Sequence, residues 1–366
     1  MNQQKKYSNT RATLAIASAS FRSIIRSPSA VVFSLAFPLI FIIVFANIGG
    51  SSVTVDVGVA KTCDTTSPVY RVLKNIKVVH LITAMSADDM AKSLSKGNID
   101  AIINIQKNNG LPLYTTNVQY TKASQPKGSI LKIYLNSISY TLNSRSSKTP
   151  PVVTEVKETT VQGREYKYID FILPGMLGFS LLSSGVFGTA FVFLSLRLTL
   201  VIKRFFATPV KRYSIVLGEA LARLVFSWIG ALFIIMVGHY AFGFTLVHGF
   251  TTVVNMLVLA AIGLIIFMGF GFIISGIAKN ESSVPPLSNI ITLPQFLLSG
   301  TFFATTAFPT WLQKFSDILP LTHLNNAMRK VAFEGAGLNE VSHQLLILGF
   351  WFIGIYIVAV KTFKWE

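Results

Sequence analysis

Five long stretches without a charged residue constrain this chain more than any other feature. They contain 29, 26, 55, 32 and 20 residues, and they lie between Arg26 and Asp56, Asp170 and Arg197, Arg223 and Lys279, Glu281 and Lys314, and Glu340 and Lys361. A transmembrane α-helix needs about 20 mostly apolar residues. The 55-residue stretch is too long for one span, and its turn-like break at Gly243–Gly249 predicts a helical hairpin. We therefore predict a polytopic α-helical membrane protein with six transmembrane helices.

The amino-acid composition supports lipid as the solvent for much of the chain. Only 13% of the 366 residues are charged and 51% are hydrophobic, whereas about a quarter of the residues in a typical soluble domain are charged. This excludes a disordered chain and argues against an ordinary soluble enzyme. Cys63 is the sole cysteine, which excludes an intramolecular disulfide, a four-cysteine zinc site and a cysteine-ligated iron–sulfur cluster.

The placement of lysine and arginine predicts the orientation in the membrane. Residues 1–30 carry five of them and no acid, and the C-terminal tail carries Lys361 and Lys364. The loop between the second and third spans holds Arg197, Lys203, Arg204, Lys211 and Arg212. Because cytoplasmic loops are enriched in Lys and Arg, we expect this loop and both termini in the cytoplasm. The net charge of +17 then reflects topology, and nucleic acid is not an expected partner.

The first apolar stretch, residues 28–50, predicts a retained transmembrane helix. It starts late, and its apolar run is too long for the core of a cleaved signal peptide. Residues 1–27 precede it as a cytoplasmic tail, in which Leu14, Ala17, Phe21 and Ile24 recur at helical spacing. This pattern indicates an amphipathic helix in the membrane interface. The alternative is a cytoplasmic helix packed on protein.

Residues 51–167 change character and predict an α/β extracytoplasmic domain inserted between the first and second spans. Alternating or buried apolar runs predict strands, and apolar residues at helical spacing predict a helix at 130–142. A further helix is expected from the Ser86 cap to Gly97. The strand predictions cover 53–60, 77–82, 101–105, 111–116 and 152–161. His80 lies in an apolar run, so we expect a core histidine.

Residues 168–366 hold the five remaining predicted spans and two notable connections. The first is the basic cytoplasmic loop 197–213. The second is the segment 302–328, which has too many breaks for a span and too many aromatic residues for a free loop. Its aromatic residues suit the outer membrane interface. We expect this segment to form outer re-entrant or surface helices.

Recognisable catalytic chemistry is absent from the sequence. It contains no G-x-x-x-x-G-K-[ST], no H-E-x-x-H and no G-x-S-x-G motif. The five histidines are far apart, so neither a catalytic residue nor a metal site is predicted. The chain is not expected to be an enzyme, and any work that it does is expected to be mechanical or permeative.

Small and polar residues mark two of the predicted spans. Gly175, Gly178, Gly185 and Gly188 of span two let helix backbones approach closely, and serines accompany them. A dimer seam or a pore-lining face and ordinary bundle packing remain open for them. Polar groups at membrane depth need protein or water around them, so span five is expected to line a cavity. The candidate translocation residues are Ser180, Ser183, Ser184, Asn289, Thr292, Gln295 and Ser299.

Glu219 and Arg223 are an ionisable pair at the start of span three. Their i, i+4 spacing places both side chains on one helix face, where they can form an ion pair. Charged residues within spans are functional candidates. The preferred interpretation is nonetheless an interfacial pair that fixes the depth of the helix in the membrane.

Two sequence regions resemble the type-2 ABC transporter permeases. In residues 297–335 the resemblance lies in Ser299-Gly300, Phe308-Pro309-Thr310-Trp311-Leu312, Leu319-Pro320-Leu321-Thr322, Arg329 and Gly335. In residues 203–222 it lies in Arg204, Ala207, Thr208, Pro209, Arg212, Leu217 and Gly218, with Glu219 where the family often has Lys. Leu198-Thr199-Leu200-Val201 stands where the family commonly has Glu-x-Gly-Thr, and this departure concerns only the detail of the contact with the motor subunit.

The resemblance implies one half of an ATP-driven exporter in the bacterial cell (inner) membrane. A separate nucleotide-binding ATPase subunit would bind ATP and Mg, so no cofactor is expected in this chain. A second permease chain, identical or paralogous, would complete the pathway, with spans two and five lining it among membrane lipids. The residues implied in coupling to the ATPase are Lys203, Arg204, Phe205, Phe206, Thr208, Pro209 and Arg212.

The substrate expected from the resemblance is hydrophobic or amphiphilic, a drug or a lipid, because polysaccharide exporters of this type tend to lack a large outer domain. The alternatives are export of a peptide, polysaccharide or ion, and a ligand-binding receptor or structural membrane protein without transport. A secondary carrier is disfavoured because the predicted span interiors hold almost no ionisable residues.

Overall fold

A computed structural model describes residues 8–27, 32–48, 55–76, 78–83, 85–121, 125–144, 154–161 and 167–363. The contacts divide the chain into two compact units. One unit comprises residues 1–50 and 168–366, and the other comprises residues 51–167.

Within the described residues, three five-residue π-helical segments interrupt or extend the helices. In chain order the elements are α1 (Asn9–Ile25), a π segment (Val32–Ala36), α2 (Phe37–Ile48), β1 (Val55–Val59), α3 (Pro68–Asn75), β2 (Val79–Ile82), α4 (Ala87–Lys96), β3 (Ala101–Lys107), β4 (Tyr114–Thr121), α5 (Gln125–Ser144), β5 (Thr154–Val161), α6 (Tyr168–Ser183), a π segment (Ser184–Gly188), α7 (Thr189–Leu198), α8 (Val201–Phe206), α9 (Arg212–Phe242), α10 (Phe250–Ile277), α11 (Val284–Leu298), α12 (Thr310–Ser316), α13 (Pro320–Arg329), a π segment (Lys330–Glu334) and α14 (Ser342–Thr362).

Four helices of the described chain are long and apolar enough to cross a membrane. They are the continuous helix Tyr168–Leu198, together with α9, α10 and α14. The predicted first span corresponds to a shorter apolar helix, Ser34–Val44, and residues 28–31 and 49–50 of that prediction lie outside the described residues. The predicted fifth span corresponds to α11, which has 15 residues. The polytopic helical architecture is therefore present, and the count of six spans stays a prediction.

The hairpin predicted within the 55-residue apolar stretch is confirmed. α9 ends at Gly243, whose φ of 69° is left-handed, and the backbone N–H of Phe244 donates to Gly238 O at 2.9 Å. Glycine takes this conformation without the steric cost that a Cβ would impose. The chain then turns and enters α10 at Phe250.

α10 is the central helix of the helical unit. It packs against α6, α7, α9, α13 and α14, and Leu259, Leu264 and Phe267 are fully buried. α14 lies at the periphery, where Phe350 and Ile353 expose more than half of their surface. Outward apolar side chains of this kind suit contact with lipid.

The helix predicted within residues 1–27 is present as α1. It packs along α9, and Ile16 comes so close that a Cβ at Gly218 would lie 2.7 Å from Ile16 Cγ2. Ala17 and Ile24 are buried, whereas Leu14 is 60% exposed. One side of the helix thus packs on protein, as the alternative interpretation proposed. A position in the membrane interface remains a prediction for the exposed side.

The segment 302–328 forms short helices, as predicted, and they differ in burial. Trp311 and Phe315 of α12 are about 60% exposed, at 62% and 60%. α13 buries Leu321 and Leu324 completely. The segment therefore combines a surface helix with one that inserts into the bundle.

The second unit is a five-stranded sheet with helices on both faces. Its strand order is β2-β1-β3-β4-β5, and the β3–β4 pair is antiparallel, whereas the other pairs are parallel. Apolar residues of α3 and α5, such as Leu73 and Leu131, share one core with Val57 of β1. Met90 and Leu94 of α4 pack with Ile99 and Ile102 in the other core.

The predicted start and end of α4 are confirmed, because capping residues determine both. The Ser86 side chain accepts a hydrogen bond from Asp89 N at 3.2 Å, and Gly97 ends α4 with a φ of 77°. The strand predicted at 111–116 begins only at Tyr114. The reason is a turn in which Asn108 N donates to Leu113 O at 2.8 Å and Asn108 Nδ2 donates to Pro112 O at 2.8 Å. Helix α3 was not predicted.

The prediction of a core histidine at position 80 is wrong. The His80 side chain is 70% exposed, and its Nδ1 lies 2.9 Å from Asp56 Oδ1 on the adjacent strand. β2 is an edge strand, so its apolar run is covered less fully than the same pattern in a central strand.

Candidate functional site

The basic loop 197–213 forms a short exposed helix and turn between two long helices. Leu200 has a φ of 59°, and the chain then forms α8 and turns at residues 207–209. Pro209 disfavours helical backbone at Thr208, which separates α8 from α9. Of the implied coupling residues, Lys203, Arg204, Thr208, Pro209 and Arg212 are all exposed. The side chains of Phe205 and Phe206 lie outside the described residues.

Arg197 fixes the start of this loop to the end of α10. Its Nη2 donates a hydrogen bond to the carbonyl oxygen of Ala278 at 2.5 Å. Beside Ala278 lies an open cavity of about 440 Å³, lined by Ile277, Lys279, Ser283, Pro286, Leu287 and Ile290 among others. The beginning of the loop and the connection between α10 and α11 are thus adjacent.

The predicted translocation residues do not share one surface. Thr292, Gln295 and Ser299 are buried on one face of α11 and its C-terminal end, whereas Asn289 is exposed on another face of the same helix. At about 100° per residue, the Asn289 side chain is about 60° from that of Thr292 and about 120° from that of Gln295, which is far enough for it to be exposed. In span two, Ser180 Oγ donates to Ser34 O at 2.9 Å, and Ser183 and Ser184 are half-buried.

A buried polar cluster continues from the end of α11 and includes Asn325, which sequence reasoning missed. Asn325 Nδ2 donates to Thr301 Oγ1 at 3.2 Å and to Ser299 O at 3.4 Å. Both Ser299 and Asn325 are fully buried. Asn325 was missed because it lies in the segment assigned to surface or re-entrant helices, and the burial of α13 depends on tertiary packing.

The four glycines of span two pack within the bundle. A Cβ at Gly175 would lie 2.8 Å from Thr301 O, and one at Gly185 would lie 2.6 Å from Phe267 Cβ. Gly178 faces Asn325, and Gly188 faces Arg223. Ordinary packing inside one chain therefore accounts for the close contacts at these glycines. A dimer seam or a pore-lining face stays a prediction.

Phenylalanine rings from four segments form a half-buried cluster on the helical unit. Phe179 lies between Phe37 and Phe296, with ring centroids 5.0 Å and 4.1 Å away. Phe296 also contacts Phe302 at 4.8 Å, and Phe302 contacts Phe41 at 5.4 Å. All five rings are partly exposed. We call this set the phenylalanine cluster; the sequence does not reveal it because its members are up to 265 positions apart.

The ion pair between Glu219 and Arg223 forms, and it is buried in the protein. Its expected role in fixing the depth of the helix at the membrane interface stays a prediction. The distance from Arg223 Nη2 to Glu219 Oε1 is 2.7 Å, and the two side chains are only 5% and 4% exposed. The guanidinium reaches the π segment of span two, donating to Gly188 O at 2.6 Å and Ser184 O at 3.3 Å. The pair is buried because α9 packs against span two on this side.

Hydrogen bonds and burial shift the pKa values of several titratable groups in the second unit. Hydrogen bonds from the side chain and the backbone N–H of Thr66 lower the pKa of Asp64. Burial raises the pKa of the Cys63 thiol and that of the Tyr120 hydroxyl. Among the described residues, no group of three or more His, Cys, Asp or Glu side chains could hold a metal ion.

The fold and these sites together define a class. The chain is a polytopic helical membrane protein in which an exposed basic loop joins two long apolar helices. The first of these helices carries half-buried serines and contributes Phe179 to the phenylalanine cluster. The profile of the ABC-2 family transporter proteins matches residues 28–361. The chain therefore belongs to the ABC-2 transporter family, as its sequence motifs indicated.

Similar proteins come from both eukaryotes and bacteria. ABC transporter G family member 20 of Dictyostelium discoideum is 25% identical over 370 residues, which cover 95% of this chain and 50% of that protein. The inner membrane transport permease YadH of Escherichia coli is 24% identical over 204 residues, covering 55% of this chain and 75% of YadH. The probable multidrug ABC transporter permease YbhR of E. coli is 22% identical over 138 residues, covering 38% of this chain and 37% of YbhR. The chain thus spans about half the length of the first of these relatives and a smaller share of YbhR.

Proposed function

We propose that this chain is the permease subunit of an ATP-driven exporter that moves a hydrophobic or amphiphilic substrate, a drug or a lipid. The substrate would leave the cytoplasm or the inner leaflet of a bacterial inner membrane. The observation that carries this proposal is the exposed basic loop 197–213. It is continuous at its start with the helix of span two, which carries Phe179 of the phenylalanine cluster and the half-buried Ser183 and Ser184, and at its end with α9. The membership in the ABC-2 family supports it.

The proposed motor is a separate nucleotide-binding ATPase subunit docked on the loop 197–213. Lys203, Arg204 and Arg212 are exposed around the turn at Thr208 and Pro209, and cations of this kind suit an acidic rim on a partner. Phe205 and Phe206 are proposed to fill an apolar pocket of that partner. In this assignment the chain itself is not an enzyme, and ATP and Mg bind to the motor.

The phenylalanine cluster supports an apolar or amphiphilic substrate. Its five partly exposed rings provide a large apolar surface, and aromatic rings contact one another and planar ligands favourably at the separations seen here. Ser183 and Ser184 of span two, the span that contributes Phe179 to the cluster, are half-buried and can bind a polar head group. The exposed amide of Asn289 is unfavourable against lipid. A second permease chain is therefore proposed to cover that face of α11.

The test is ATP-dependent transport in inverted membrane vesicles that contain the chain and its co-expressed ATPase. Two probes, ethidium and a fluorescent phosphatidylethanolamine, distinguish a drug from a lipid substrate. We expect wild type to accumulate one of them, and the Phe205→Ala/Phe206→Ala variant to lose at least about tenfold of that transport while the ATPase still hydrolyses ATP. A tenfold loss corresponds to about 1.4 kcal/mol, which is modest for the removal of two aromatic side chains proposed as anchors in the partner.

Phe250→Ala is the matched control. Phe250 is 82% exposed at the start of α10, on the connection predicted to lie outside the cell, so its removal should leave transport unchanged. Wild-type transport by the double variant would contradict the coupling assignment. Failure of wild type to move either probe would contradict the proposed substrate class.

A further inference from the structure

We infer that Arg223 is the positioning residue that holds the π segment Ser184–Gly188 of span two. It thereby links the basic loop 197–213, which we call the coupling loop, to the proposed translocation residues Ser183 and Ser184. The inference rests on the proposed function. Its structural part, the control of the π segment by Arg223, can be tested without any transport assay.

The π segment interrupts the regular hydrogen bonding of a 31-residue helix. Residues Ser184–Gly188 form the wider turn between α6 and α7. Such segments are rare, leave backbone carbonyls differently placed from those of an α-helix, and are often found at functional sites. A carbonyl buried in an apolar bundle needs a donor, and here a guanidinium supplies it.

The guanidinium of Arg223 is bound on three sides. Its Nη2 lies 2.6 Å from Gly188 O and 2.7 Å from Glu219 Oε1, and its Nη1 lies 3.3 Å from Ser184 O. The carbonyls that it binds are those of the first and last residues of the π segment. A planar guanidinium can address several acceptors at once, which an ammonium group cannot do in the same geometry. Glu219 compensates the charge, so Arg223 can remain buried.

Gly188 makes this approach possible. A Cβ at position 188 would lie only 1.8 Å from Arg223 Nη1, so any side chain there would displace the guanidinium. On another side the π segment faces α10, where a Cβ at Gly271 would lie 2.7 Å from Val186 O. The segment is therefore held between α10 and the guanidinium.

α9 connects this contact directly to the coupling loop. Thr208 and Pro209 lie just before the start of α9 at Arg212. Glu219 lies about two turns into that helix and Arg223 about three turns. Ser184 is both a proposed translocation residue and an acceptor of Arg223. A displacement of the loop that moves the start of α9 therefore moves the guanidinium and, through it, the carbonyls of the π segment.

The experiment measures the rotational register of α7. If the π segment relaxes to an α-helix, residues that follow it rotate by about 100° relative to α6, which is the angle for one residue. Replacing Cys63 by Ser gives a cysteine-free chain, and single cysteines along 189–198 can then carry a nitroxide. Oxygen accessibility of the nitroxide should be high at position 191 and low at positions 190 and 193, because Phe191 is 36% exposed whereas Ala190 and Phe193 are buried.

The informative variant is Glu219→Gln/Arg223→Met, which removes both charges and leaves no unpaired buried ion. We expect the accessibility profile of α7 to shift by one residue and substrate transport to fall at least about tenfold while ATP hydrolysis persists. Gly188→Ala should produce the same shift, because it displaces Arg223. Ser227→Ala, one turn further along α9, is the matched control, and its profile should equal that of the wild type.

The charge-swapped variant Glu219→Arg/Arg223→Glu separates this role from a simple ion pair. It can restore the ion pair, but a carboxylate at position 223 cannot donate to Ser184 O or Gly188 O. We expect the shifted profile to persist in this variant. An unshifted profile in the charge-neutral variant, or restoration of the wild-type profile by the swap, overturns the inference. Neither outcome depends on whether ethidium or lipid is transported, so failure of the proposed function is recognised separately.

Discussion

Gly178 of α6 lies in direct contact with Asn325 of α13. A Cβ at Gly178 would lie 2.2 Å from Asn325 Oδ1 and 2.8 Å from Leu321 Cδ1. Asn325 is fully buried, and its amide nitrogen is oriented toward Ser299 and Thr301. The absence of a side chain at position 178 therefore allows α13 to insert against span two and to complete the buried polar cluster.

This contact predicts that Gly178→Ala destabilises the helical unit. Forcing a methyl group into a close-packed core typically costs about 1–3 kcal/mol, so we expect a lower thermal unfolding temperature in detergent. Gly354→Ala in α14 is the matched control, because a Cβ there has nothing within 4 Å. Thermal unfolding followed by size-exclusion chromatography measures both. Adding Asn325→Ala to Gly178→Ala should recover part of the loss, since the side chain that clashes is then removed.

The Arg329 side chain contacts two segments that are far apart in the sequence. Its Nε donates to Phe171 O at 3.0 Å and its Nη2 donates to Gly300 O at 2.5 Å, while its guanidinium carbon lies 3.7 Å from the centre of the Phe171 ring. The guanidinium thus connects the first turn of α6 with the end of α11.

We predict that Arg329→Lys lowers the free energy of unfolding by about 2 kcal/mol. A lysine cannot make both hydrogen bonds in the same geometry, and a hydrogen bond to a charged group contributes about 1.5–3 kcal/mol. Thermal unfolding in detergent again provides the measurement. The control is Arg22→Lys, an exposed arginine of α1, which should leave the unfolding temperature unchanged. An equal loss in both variants would show that the carbonyl contacts of Arg329 are unimportant.

Tyr120 predicts an alkaline limit to the stability of the sheet unit. Burial raises the pKa of its hydroxyl, and the nearby carboxylate of Glu158 adds to the shift. Because the folded-state pKa is the higher one, the stabilisation is complete below the unfolded-state pKa of about 10 and is lost as pH rises beyond it.

Tyr120→Phe should therefore extend stability to higher pH. The buried Tyr120 hydroxyl has no hydrogen-bond partner among the described residues, so we expect its removal to change stability at neutral pH by less than about 1 kcal/mol. Unfolding of the sheet unit, followed between pH 8 and about 12, measures the effect. Tyr140→Phe, with a ring that is 77% exposed, should leave the alkaline transition where wild type has it, and identical behaviour of both variants would contradict the assignment.

Local signals in the sequence were sufficient for most of the individual elements. The Ser86 cap and the Gly97 stop bound α4, and Gly243 and Gly249 bound the break between α9 and α10. These features depend on hydrogen bonds and dihedral angles within a few residues. His80 shows the limit of such reasoning, because an apolar run does not reveal whether its strand is central or at an edge.

The sequence by itself determined that this chain is a membrane protein of the ABC-2 family with a basic loop between long apolar helices, because charge-free runs and short motifs are local properties. Only the tertiary structure decided that Asn325 is buried, that five phenylalanines meet, and that the Glu219–Arg223 pair is buried with Arg223 bound to the π segment of span two. These relationships join segments of the chain that are up to 265 positions apart. They arise only when the packing of helices selects which faces meet, and no spacing along the chain encodes that choice.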